Sequence, residues 1–108
     1  MGMYVAVLLS EASSDAADHE PLFQESFVLL AAESLEEARE NAVMHGRGQE
    51  TSYRNEDGER ITWRLRTVVD VNEVLDPELA DGAEIYARHF RDYDSYAAFE
   101  PMLSGEEL

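Results

Sequence analysis

Apolar and polar positions change their spacing several times along the chain, and each change marks an element. Met3, Val5, Val7 and Leu9 fall on one side of an extended segment, Tyr4, Ala6 and Leu8 on the other. Two apolar faces are the mark of a central strand covered on both sides. Residues Met3 to Ser10 are therefore expected to form one. Residues 11 to 21 are acidic and small and end in His-Glu-Pro, which reads as a mobile loop. Leu22 to Ala32 is a second strand-like run, with Phe23, Phe27, Val28, Leu29 and Leu30, expected to pair antiparallel with the first.

At Ser34 the period lengthens. Leu35, Ala38, Ala42 and Val43 form an apolar stripe at helical spacing, with Glu33, Glu37 and Glu40 on the wet side. Ser34 and Glu37 have the spacing of a capping box, in which each side chain serves an amide near the other. Gly46 would suit a left-handed cap, so the helix is expected to end near His45.

Asp57-Gly58 follows, between strand-like Thr51–Asn55 and Arg60–Asn72. Glycine accepts the positive φ that a tight hairpin demands, so this pair predicts a turn. The second arm alternates, placing Ile61, Trp63, Leu65, Thr67, Val69 and Val71 on one face. Thr62, Arg64, Arg66, Asp70 and Asn72 take the other, and Val68 breaks the pattern. A strand of that length is expected to bend or bulge midway.

After Asp76-Pro77 the texture becomes aromatic. Residues Ala83 to Phe90 read as a short helix, and a second is expected near Ser95 to Phe99. The segment holds Tyr86, Phe90, Tyr93, Tyr96 and Phe99, half of the ten aromatics, which need a surface to pack on. The expected architecture is α+β: a four-stranded antiparallel sheet in β-β-α-β-β order, one main helix on one face, and short C-terminal helices. A ferredoxin-like topology is the competitor. One domain spans 1–103, with 104–108 a disordered tail.

Composition narrows the possible functions. At 108 residues there is room for a single core, with an expected radius of gyration of about 13 Å. The net charge is −16, and all eight basic residues are arginine. That field repels nucleic acid and anionic membrane, so neither is an expected partner. Absence of cysteine excludes disulfides and thiolate chemistry and favours a reducing, cytoplasmic location. The N-terminus has no basic region ahead of its apolar run, so it does not read as a signal peptide.

Candidate chemistry is sparse. His19, His45 and His89 show no metal-pair spacing, and Asp92-Tyr93-Asp94 lacks the glycine and glutamate of a calcium loop. No nucleophile elbow, phosphate loop or dinucleotide fingerprint occurs, and with no lysine there is no Schiff base. No cofactor, metal or catalytic residue is expected. Six of the eight arginines lie between Arg39 and Arg66. If Arg47, Arg64 and Arg66 converge near His45, Tyr53 and Trp63, they would hold a carboxylate or phosphate. The plainer reading is cross-strand pairing with the hairpin's own acids, or pairing with the acidic tail.

The stretches FVLLAAESLEEARENA, ETSYRNEDGERITWRLRTVVDVNEV and ELADGAEIYARHFRDYDSYAAFEPML resemble the bacterial family called domain of unknown function 4288. Tyr53, Asn55, Gly58, Trp63, Asp70, Val71, Glu73, Gly82 and Tyr86 fall in the order of that family. The resemblance implies a small cytoplasmic α+β domain and brings no mechanism or functional residue set. Three readings stay open. The first is a non-enzymatic protein-binding or regulatory module, with Tyr86, Phe90, Tyr93, Tyr96 and Phe99 as contact residues, its partner another protein or a second copy. The second is an immunity or antitoxin-like inhibitor of a basic toxin or nuclease. The third is a small-ligand binder or enzyme built around Arg47, Arg64 and Trp63.

Overall fold

The computed structural model describes residues 1–76 and 78–100. Six elements run in the order β1 (Gly2–Ser14), β2 (Leu22–Ala32), α1 (Leu35–Gly48), β3 (Thr51–Arg54), β4 (Arg60–Glu73) and α2 (Tyr93–Phe99). The strands form one antiparallel sheet in the order β2-β1-β4-β3. The α+β reading holds. The ferredoxin-like alternative, a split pair of βαβ units, is not adopted.

β1 lies at the centre, and Tyr4 to Leu8 are all buried. Tyr4, Ala6 and Leu8 point towards α1 and pack with Ala32, Ala38, Ala42 and Val71. Val5 and Val7 are sealed on the opposite face. The strand is longer than the alternating run suggested, because β1 continues through Ser14 and pairs with Thr62 and Ile61. The loop therefore shrinks to residues 15–21, and it is tied down. Arg60 donates its N–H to Asp15 Oδ1 at 2.9 Å, and Asp15 returns its own N–H to the Arg60 carbonyl. His19 Nε2 sits 3.4 Å from the Ala12 carbonyl.

β4 bulges twice. Val7 pairs with Asp70 but Leu8 with Val68, and Leu9 pairs with Thr67 but Ser10 with Leu65. Val69 and Arg66 are the extra residues. Each bulge flips the alternation, so the face towards α1 carries Ile61, Trp63, Leu65, Val68 and Val71. Thr67 and Val69, expected there from strict alternation, do not belong to it. Val68, the apparent exception, packs on the core. A one-residue slip exchanges the two faces of a strand.

Ser34 caps α1, its Oγ accepting from the Glu37 N–H at 3.1 Å. The Glu37 carboxylate reaches one residue further back than a capping box requires and accepts from the Glu33 N–H. The helix runs past its predicted end at His45 to Gly48, and Gly46 is buried inside it, so Gly46 is not the cap. The reason is packing. A Cβ on Gly46 would lie 2.8 Å from both methyl carbons of Leu65. The absent side chain lets the last turn settle on the sheet. Positive φ occurs where the hairpin needs it, at Gly58 (φ 78°), and again at Gly82 (φ 83°).

The radius of gyration is 17.0 Å, well above the value for a compact chain of this length, and the longest dimension is 46 Å. Strands of 13 and 14 residues account for that length, since each residue advances about 3.3 Å. α1 covers only part of the sheet. The far ends of β1, β2 and β4 project beyond it.

The segment from Ala83 to Phe90, expected to be helical, is irregular. Asp76 holds it open: its carboxylate accepts from the Glu84 N–H at 2.7 Å, and its own N–H donates to the Glu84 carbonyl. One short helix, α2, forms beyond it, capped by Asp92, whose carboxylate accepts the Ser95 N–H and hydroxyl. No Cα of α2 comes within 8 Å of any strand or of α1. The expected tail at 104–108 lies outside the described residues.

Candidate functional site

Two regions gather the residues singled out in the sequence. They lie on opposite faces of the sheet.

The first is a groove of about 410 Å³ where α1 ends and the sheet continues. Its floor is Leu8, Ser10, Gln24, Ser26, Val28, Trp63 and Leu65, and its wall is His45, Gly46, Gln49 and Glu50 from the helix end. Arg64 completes the lining. The groove opens where the sheet passes the end of α1, over the α1-facing polar residues Ser10, Gln24 and Ser26. Glu50 is engaged, since its carboxylate accepts the Leu65 N–H at 3.0 Å. Of the six residues proposed as a ligand site, His45 and Trp63 meet here, while Arg64 borders the groove from a strand position whose side chain takes the other face. Arg47 and Tyr53 are exposed and do not line it. Arg66, on a bulge, pairs instead with Glu11. That partner lies on β1, not among the hairpin's own acids or the tail. Arg64 and Arg66 both look outward, and Trp63 is half-buried.

The second region is the face opposite α1. Its anchor is Tyr86, whose hydroxyl donates to Asp70 Oδ2 at 2.7 Å. Asp70 also accepts from the Val71 N–H and the Asn72 side-chain amide. Burial, followed by the hydrogen bond and negative charge of Asp70, pushes the Tyr86 phenol above its ordinary range, with Arg88 opposing. Tyr86 therefore stays a neutral donor. A fully engaged carboxylate and a neutral phenol make a latch, not an acid–base pair. The Tyr86 ring also meets Phe27 of β2 at 5.7 Å between centroids. The latch thus spans β1, from β4 to β2, and covers Val5 and Val7 between them.

Beyond the latch this face is open. Phe23 is 52% exposed, Phe27 57% and Leu29 40%. They alternate along β2 on the face away from α1, with Glu25 between the two phenylalanines. The C-terminal arm, residues 88–100, carries the other exposed aromatics. Phe90 is 55% exposed and stacks on Tyr96 at 4.8 Å. Phe99 is 68% exposed, and Tyr93 also faces solvent. His89 lines a concavity with Asp70 and Tyr86. The five predicted contact aromatics thus divide: Tyr86 is structural, and the other four belong to the arm. The sequence reading missed Phe23, Phe27 and Leu29. Their signal was an apolar run on both faces of a strand that turns out to be at the sheet's edge.

Among the described residues no group of three or more His, Asp or Glu side chains is placed to hold a metal ion. No described helix is long and apolar enough to cross a membrane.

The model of the family described as "Domain of unknown function (DUF4288)" matches residues 3–87, which takes in the sheet, α1 and the Tyr86 latch and stops at the root of the arm. No curated protein and no solved structure matches the chain.

Proposed function

The chain belongs to the DUF4288 family, and from that membership, which brings no reaction with it, we propose that this protein is a non-enzymatic protein-binding module. Its contact surface is the sheet face opposite α1 together with the aromatic arm. The observation that carries the reading is the exposure of Phe23, Phe27 and Leu29 in a row along one strand. Isolated exposed apolar residues are ordinary, but contiguous ones mark interaction surfaces. Aromatics supply most of the binding energy where such surfaces meet a partner. A net charge of −16 adds long-range attraction if that partner is basic, as a toxin or nuclease would be.

The test compares capture by the full chain with capture by a Phe23→Ser/Phe27→Ser double variant. A specific protein retained by the first and lost by the second is the expected result. Identical capture by both chains would overturn the reading. Capture that ignores salt would remove the basic-partner version of it.

The groove at the end of α1 supports a second reading, a small-ligand site, because His45 and Trp63 line one cavity. Trp63 is the sole tryptophan, so its fluorescence reports occupancy directly. A flat titration with small-molecule probes, carboxylates and phosphates included, would eliminate it.

A further inference from the structure

Resting on the protein-binding reading, we propose that the occupant of this surface is a second copy of the same chain. Two β2 edges lie antiparallel about a two-fold axis, and each arm crosses onto the Phe23–Phe27–Leu29 face of the other copy.

The first argument is the edge itself. β2 is an outer strand that pairs with β1 over eleven positions, Leu22 to Ala32 against Ala12 to Gly2, without a register shift. It contains no proline and no lysine, and its one charge is Glu25. Long, flat, apolar edges template further strand pairing unless something guards them. The other edge of the sheet differs. β3 spans four residues, and beyond it the Glu50 carboxylate takes the Leu65 N–H that a further strand would use. That side of the sheet is capped at Leu65 and bulged beyond it at Arg66 and Val69, whereas the β2 edge is long and regular.

The second argument is area. Phe23, Phe27, Leu29, Phe90, Tyr93, Tyr96 and Phe99 expose between 38% and 68% of their surface. An aromatic side chain offers about 150–250 Å², so these seven leave about 700 Å² of surface per chain. Buried on both copies, that reaches about 1,400 Å², the size of a standard specific interface. A two-fold axis needs one patch that complements itself. The sheet face and the arm supply the two complementary halves within one chain.

The third argument is local charge. The arm, residues 88–100, carries Arg88 and Arg91 beside Asp92, Asp94 and Glu100, and the apolar row on β2 is interrupted by Glu25. Among the described residues the ion pairs are Arg66–Glu11 and the N-terminus with Glu33, so Glu25 and Arg91 both lack one. Arg91 at the root of one arm is the cation that would meet Glu25 on the β2 face of the other copy. The copies as wholes still repel at −16 each, which gives the proposal a distinctive salt dependence. Self-association should tighten as salt screens that repulsion, whereas binding to a basic partner should weaken.

Light scattering after size exclusion, on the full 108-residue chain from 1 to 200 μM, tests the proposal at low and at 0.5 M salt. A dimer that strengthens with salt is expected. Phe23→Ser on the sheet and Phe99→Ser on the arm should each weaken it by about tenfold or more, as loss of an interface aromatic does. Neither side chain is in the core, so melting of the dissociated chain should not change, which separates lost association from lost folding. A chain that stays monomeric at 200 μM in 0.5 M salt overturns the proposal. So does a dimer that ignores both variants. If the monomeric chain still captures another protein through Phe23 and Phe27, self-pairing alone has failed. If it captures nothing in a variant-dependent way, the protein-binding reading fails with it.

Discussion

The two faces of the sheet are closed by different means. Where α1 lies on the sheet, packing closes it tightly: Ala38 and Ala42 are fully buried, Gly46 gives up a side chain so that Leu65 fits, and Tyr4, Ala6 and Leu8 pack beneath the helix. On the opposite face Tyr86 reaches across β1 to Phe27, and Phe27 and the more distant Phe23 both stay half in solvent. The first face is a core whose job is stability. The second is covered enough to protect Val5 and Val7 and left open enough to receive something else. In a small domain, a face finished by one residue is where binding and stability can be separated by mutation.

Leu8→Ala should produce the largest effect. Leu8 is 3% exposed beneath the helix, and truncating such a leucine costs about 2–5 kcal/mol. Denaturant unfolding measures it. A loss well under 1 kcal/mol would mean that the helix-covered face is not the main core.

Tyr86→Phe tests the latch. It removes one hydrogen bond but leaves Asp70 its two other donors, so the expected loss is about 1 kcal/mol. The same residue adds a pH dependence. Its folded pKa is raised above the ordinary 10.0, so the folded chain holds the phenol proton more tightly than the unfolded chain. The associated stability is present below pH 10 and is lost as pH rises through the raised value. Tyr86→Phe should abolish that alkaline loss, and alkaline melts that superimpose for the two proteins would show that the latch is not closed in solution.

Asp92→Ala should do least to the body and most to the arm. Its carboxylate caps α2, and the hydrogen bonds to Ser95 hold its pKa below the usual value. The melting temperature should not change, while amide exchange in residues 93–99 should accelerate. The capping contribution exists above the ordinary carboxylate range and fades as pH falls through the lowered value. A drop in global melting on this substitution would mean that α2 docks on the body after all, erasing the contrast between the two faces.

Much of this architecture was legible in the chain alone. Alternation over Met3–Ser10, the Ser34 cap and Asp57-Gly58 are local signals: each depends on residues within one turn or one strand, so spacing and backbone preference decide them. The same holds for the absence of catalytic motifs and for Val5 and Val7 needing cover. What the chain alone did not determine depends on contacts between residues far apart in sequence. The helix passes Gly46 because Leu65, nineteen positions later, fills the space a side chain would take. Val68 rather than Val69 faces the core because the two bulges of β4 are set by its pairing with β1. Residues 83–90 are held out of a helix by Asp76 and Asp70. His45 and Trp63 meet while Arg47, Tyr53, Arg64 and Arg66 do not join them, since strand register and helix length place them. Periodicity states how a segment would bury its apolar side. Only the assembled sheet decides which strand becomes the edge, and therefore which phenylalanines remain uncovered.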